Sequence, residues 1–94
     1  SWLGTFHDAG SGWIYHGDHG WLYSADDGAG NYWLYHANLG WLWTGPNFYG
    51  NAQGHRFLFS QSRDSWLFFD SAAKNFFVYK DETRVNHAGA AVGP

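Results

Sequence analysis

At 94 residues the chain is a single domain, too small to hold two independent cores, which excludes multi-domain enzymes. Five Lys and Arg against eight Asp and Glu give a formal charge of -3. The basic residues Arg56, Arg63, Lys74, Lys80 and Arg84 are scattered, so there is no basic groove for phosphate backbones and no nucleic-acid partner is expected. No run approaches the ~18 apolar residues of a membrane-spanning helix. Cysteine is absent, which removes disulfides and thiolate chemistry. Methionine is absent even at position 1, which points to a processed or excised chain and makes a secreted or cell-surface location the expectation.

In chain order, Ser1-Trp2-Leu3-Gly4 followed by Phe6 is a degenerate first copy of a motif that recurs throughout. Clear copies are Trp13-Ile14-Tyr15, Trp21-Leu22-Tyr23, Trp33-Leu34-Tyr35, Trp41-Leu42-Trp43, Phe57-Leu58-Phe59, Trp66-Leu67-Phe68 and Phe77-Val78-Tyr79. Ring and aliphatic side chain alternate with a period of two, and no helical periodicity is present, so each triplet predicts a strand. The links Gly17-Asp18-His19-Gly20, Ala37-Asn38-Leu39-Gly40 and Arg63-Asp64-Ser65 predict tight hairpin turns. Longer links, Ala25 to Gly30 and Thr44 to Gly54, join consecutive hairpins, the second carrying the turn signal Gly45-Pro46-Asn47. The expected fold is all-β, an antiparallel meander of about eight short strands in four hairpin repeats, curled or barrel-like. It occupies residues 1–80, and the charged, then Ala/Gly-rich tail 81–94 is expected to dock on the sheet or on a neighbouring copy.

Aromatic residues make up 22% of the chain and charged residues 14%, against about 25% charged in ordinary domains. Alternation puts Trp13, Tyr15 and their equivalents on one face and Ile14, Leu22, Leu34, Leu42, Leu58, Leu67 and Val78 on the other, so both faces are apolar and the sequence does not say which points inward. The aliphatic row alone is too small a core, so most aromatic positions are expected to be buried, and whatever apolar surface is left predicts a partner.

The elements Gly12-Trp13-Ile14-Tyr15, Gly20-Trp21-Leu22-Tyr23 and Gly40-Trp41-Leu42-Trp43 resemble the Trp-rich aromatic β-hairpin repeats of secreted bacterial proteins. They are more distantly similar to the choline- and glucan-binding repeats of cell-wall proteins. The likeness runs from residue 12 to residue 79. What it implies is an extracellular binding or assembly module; in the choline-binding repeats neighbouring rings cage a quaternary ammonium, which here would nominate Trp13, Trp21, Trp33 and Trp41.

Other chemistry is weakly signalled. His16-x-x-His19 with Asp18 has a metal-like spacing, but His16 and His36 occupy equivalent repeat positions whose later counterparts are Ser60 and Lys80, which reads as polar strand ends. Asp26-Asp27-Gly28-Ala29-Gly30-Asn31 lacks the spaced ligands of a calcium loop. Glu82 is the single Glu, the Asp residues fall in predicted turns, and no nucleophile context surrounds any Ser. The expectation is a non-catalytic structural or adhesive module without metal or cofactor, self-associating through apolar aromatic surface as a homo-oligomer or filament. The surface residues are Trp13, Trp21, Tyr23, Trp33, Tyr35, Trp41, Trp43 and Trp66. The alternative is a carbohydrate- or cell-envelope-binding module with polysaccharide as partner.

Overall fold

The computed structural model describes residues 2–50 and 54–93. Among them are nine strands: β1 (Phe6–Gly10), β2 (Trp13–His16), β3 (Gly20–Asp26), β4 (Tyr32–His36), β5 (Gly40–Thr44), β6 (Phe57–Ser60), β7 (Ser65–Asp70), β8 (Asn75–Val78) and β9 (Thr83–Val85). They form one antiparallel meander in chain order, β1 to β9, with no helix among the described residues. The triplets all lie in or at the ends of strands. Two edge strands carry no triplet: β1 begins only at Phe6, so Trp2 to Gly4 of the degenerate first copy lie in the turn before it and not in a strand, and β9 lies beyond residue 80, where the sequence places only a tail. Ala25 belongs to β3 and not to the link that follows it. The end of the Thr44–Gly54 link, 51–53, lies outside the described residues.

The tight turns follow from their closing residues. His16 pairs with Gly20 and His36 with Gly40, leaving three-residue loops in which the glycine takes a positive φ of 73° and 78° respectively. Later turns put Asp64, Lys74 and Glu82 in the same left-handed region. Carboxylates brace several connections: Asp8 Oδ1 accepts from the Gly10 amide at the bulge of β1, and Asp70 Oδ1 accepts from the amides of Ala72 and Ala73.

The sheet is open, since β1 and β9 do not pair, but strongly curled. Nine strands laid flat would span about 40 Å in a layer one residue thick; the molecule measures 38 × 27 × 24 Å, with a radius of gyration of 12.6 Å. The curl comes from stagger. β3 pairs with β2 through Gly20 to Tyr23 and with β4 through Tyr23 to Asp26, and β7 steps in the same way between β6 and β8. Such a shear tilts strands and coils a sheet. As a result the β2–β3 turn reaches the far hairpin, where Lys74 Nζ meets Asp18 Oδ1 at 3.3 Å.

The concave side takes the aliphatic row. Ile14, Leu22, Leu34, Leu42, Leu58, Leu67 and Val78 are all buried there, completed by Leu3, Leu39, Tyr49, Phe69, Phe76 and Val85. This corrects the expectation that most aromatic positions are buried: the triplet rings lie on the convex side, and the rings that fill the core are three that the alternation does not single out. Geometry explains the choice. The inner wall of a tightly curled sheet has less room per residue than the outer wall, so the slimmer side chains go inside and the rings outside.

Candidate functional site

On the convex side the register aligns rings from strand to strand. One row runs Trp13, Tyr23, Tyr35, Trp41 across β2 to β5. A second runs Ala25, Trp33, Trp43, Phe59, Trp66 across β3 to β7, and a third runs Phe57, Phe68, Phe77, Arg84 across β6 to β9. Direct partners meet edge to face: Trp13 and Tyr23 at 5.3 Å between centroids, Tyr15 and Trp21 at 5.2 Å, Tyr35 and Trp41 at 5.2 Å, Phe59 and Trp66 at 5.5 Å. Edge-to-face contacts of this kind add about 0.5–1.5 kcal/mol each beyond area burial. The rings therefore support one another without a second layer above them.

They remain largely open to solvent. Trp13, Tyr15, Trp21, Tyr35, Trp66 and Tyr79 are between 36% and 52% exposed. Of the residues expected on the surface, Tyr23, Trp33, Trp41 and Trp43 are half-buried by neighbouring rings. Trp43 is fixed by a polar anchor: its indole N–H donates to Asp27 Oδ2 at 2.9 Å, while Asp27 Oδ1 accepts from the amides of Ala29 and Asn31. These bonds, the one from Trp43 foremost, hold the Asp27 carboxyl below the usual range. The acidic link thus braces a tryptophan.

Two depressions mark the face. A groove of about 530 Å³ runs between Phe48, Phe57, Phe59, Trp66 and Tyr79, and a notch of about 280 Å³ lies between Trp33 and Trp41, floored by Ala25 and flanked by Gln61. Ala25 makes the notch because it stands where the row would otherwise continue with a ring. Both sheet edges are blunted. β1 carries a bulge between Asp8 and Gly10, and beyond β9 the chain folds back so that the Val92 amide donates to the Arg84 carbonyl.

Sequence reasoning missed a buried polar cluster at one end of the concave side. His16 is fixed in one tautomer: Nε2–H donates to the Leu3 carbonyl at 2.7 Å, and Nδ1 accepts from the amides of Asp18 and His19. His36 repeats the arrangement, its Nδ1 accepting from the Asn38 amide. Both are strand ends that shape the following turn, as their spacing implies, but they are buried rather than solvated. His19 stacks on His16 at 4.6 Å between centroids and bonds through Nε2 to the Tyr49 hydroxyl at 2.7 Å and through Nδ1 to His87 Nε2 at 2.9 Å. Burial, reinforced by His16, His87 and His36, pushes His19 down to about 2; burial also lowers His36 and His87 and raises Tyr49. The signal in the sequence was His87 itself, a lone ring in an Ala/Gly-rich tail. Among the described residues no group of three His, Asp or Glu side chains is arranged to hold a metal ion.

Among the described residues no helix is long and apolar enough to cross a membrane. No protein-family model, curated protein or solved structure matches the chain significantly.

Proposed function

We propose that the chain is a non-catalytic extracellular structural or adhesive module that self-associates through its convex aromatic face. The observation that carries this reading is the unbroken character of that face. Apart from tyrosine hydroxyls, no polar side chain interrupts the rows from Trp13 to Trp41 or from Trp33 to Trp66. Contiguous apolar surface of this kind is uncommon on soluble monomers and marks contact surfaces. With both sheet edges blunted, the face is the route left for contact between copies, and two such ladders can interdigitate as aromatic layers do within a core. The extracellular placement rests on the resemblance to the hairpin repeats of secreted bacterial proteins. Light scattering from micromolar to millimolar chain tests the reading: average mass should climb with concentration, and a constant monomer mass throughout contradicts it.

One observation favours a second reading. The Trp33–Trp41 notch combines two indole walls with the Gln61 amide at a size suited to a single pyranose ring, so it could serve as a polysaccharide-stacking site. Quenching of tryptophan fluorescence by soluble polysaccharides, lost in Trp41→Ala, would support it. Unchanged fluorescence across a glycan panel would remove it.

A further inference from the structure

Three times the chain enters a strand through a buried residue directly before a positive-φ glycine: Leu3 before Gly4, His19 before Gly20 and Leu39 before Gly40. Two of these use leucine, so the position itself asks for apolar volume. The third buries an imidazole, which is tolerable only because both ring nitrogens are bonded, one to Tyr49 and the other to His87. His87 belongs to the C-terminal segment, and its ring packs on His19, Phe69 and Phe76 at centroid distances of 5.2, 5.6 and 4.9 Å. From there the segment turns back through bonds between Gly89 and Asn86 and between Asn86 and Ala90, and it lies along the outer side of β9, where Val85 bridges to Ala91. Its other side-chain anchors, Asn38 to the His87 carbonyl and Arg63 to the Gly89 carbonyl, sit nearer the surface. His87 is the plug that seats the segment in the core.

We infer that the His19–His87 pair is an acid-sensitive latch: neutral, it holds the C-terminal segment over β9; protonated, it releases that segment and uncovers the outer edge of β9. The line Tyr49–His19–His87 holds one proton in each gap when neutral. One proton more either sets two N–H groups against each other or leaves an imidazolium among Phe69 and Phe76, and each outcome disfavours the seated state. The charged and titratable groups facing the pair are His16 from β2, Asp18 from the β2–β3 turn, His36 from β4, Tyr49 and Arg56 from the β5–β6 link, and Lys74 from the β7–β8 turn. Of these only Asp18 favours a charged His87, and Asp18 already pairs with Lys74. Because both rings titrate below their ordinary value of 6.5 when seated, the latch is full above that pH and weakens as pH falls through it. A proton taken up on release at the ordinary 6.5, and not in the seated state, multiplies the open population by at most about 30-fold between about pH 7.5 and about pH 5.

Hydrogen exchange, corrected for intrinsic rates and run on dilute monomer so that association plays no part, tests the latch. The amides of Asn86, Gly89 and Val92 should lose up to about 30-fold protection over that pH range and should stay well less protected at every pH than those of β4 and β5, which open only with the whole sheet. The double variant His19→Gln/His87→Gln, which keeps amide bonding and cannot take up a proton there, should show a flat response. Should the double variant fail to fold, His87→Gln alone should flatten the response. Tail protection as high as that of the central strands, tail protection that ignores pH, or a variant that responds as the native chain does would each overturn the inference.

Discussion

At the scale of single residues, the polar groups inside this sheet are hinges of the turns. His16 uses both nitrogens, one to hold the Leu3 carbonyl and the other to hold two amides of its own turn. Its replacement by alanine strands three backbone groups in a buried place and opens a cavity, at a cost of about 3 kcal/mol by urea unfolding. A loss under about 1 kcal/mol would mean that water takes over these bonds. Little of this was legible beforehand. The repeat marked His16 and His36 as equivalent strand ends, but whether a strand-end polar group faces water or a fold-over turn depends on curl, which no local pattern encodes.

At the scale of elements, legibility was high where alternation was strict. Every clear triplet of ring and aliphatic became strand, with only Tyr79 falling just past the end of β8, because a period of two fits the pleat, and the short polar links became turns. The sequence placed the first strand too early, at the degenerate copy that ends in Gly4, and gave no strand at β9, because Phe-His-Asp-Ala-Gly and Thr-Arg-Val lack the motif, being paired to the sheet chiefly on one side. The inward face was illegible because both faces are apolar; curvature decides it, together with the small polar residues Thr44, Ser60 and Ser65, which follow the aliphatic row into the interior. Turn chemistry gives a clean test at Gly20. A Cβ there would meet nothing within 4 Å, so Gly20→Ala isolates the backbone term of a φ of 73°. The expected loss is about 1 kcal/mol in thermal or chemical unfolding. Gly12→Ala should cost more, because its Cβ would also come within 2.8 Å of the Tyr23 ring.

At the scale of the whole molecule, a curled sheet with aliphatic lining and aromatic cladding has two consequences. The first is a stability window. The folded state holds His19 neutral, with a pKa lowered from 6.5 to about 2, so unfolding takes up a proton below pH 6.5 and stability falls as pH drops, by about 1.4 kcal/mol per unit for that group alone. Tyr49 is raised above 10.0, so its contribution is present below that pH and is lost above it. Urea midpoints should therefore be highest between the two limits and drop on the acid side, and His19→Leu combined with Tyr49→Phe should flatten the acid limb; a limb unchanged in that variant would place the titrating group elsewhere.

The second consequence is the face itself. Rings that support one another edge to face need no cover for the fold, yet they leave the molecule with its largest apolar features on the outside, and that exposure is the basis for reading the protein as one that meets copies of itself. Sedimentation equilibrium on the native chain beside Trp21→Thr/Trp66→Thr, whose side chains lie outside the core, tests this most directly. The account predicts concentration-dependent association of the native chain and a folded monomer for the variant. A native chain that stays monomeric, or a variant that associates as strongly, would contradict it.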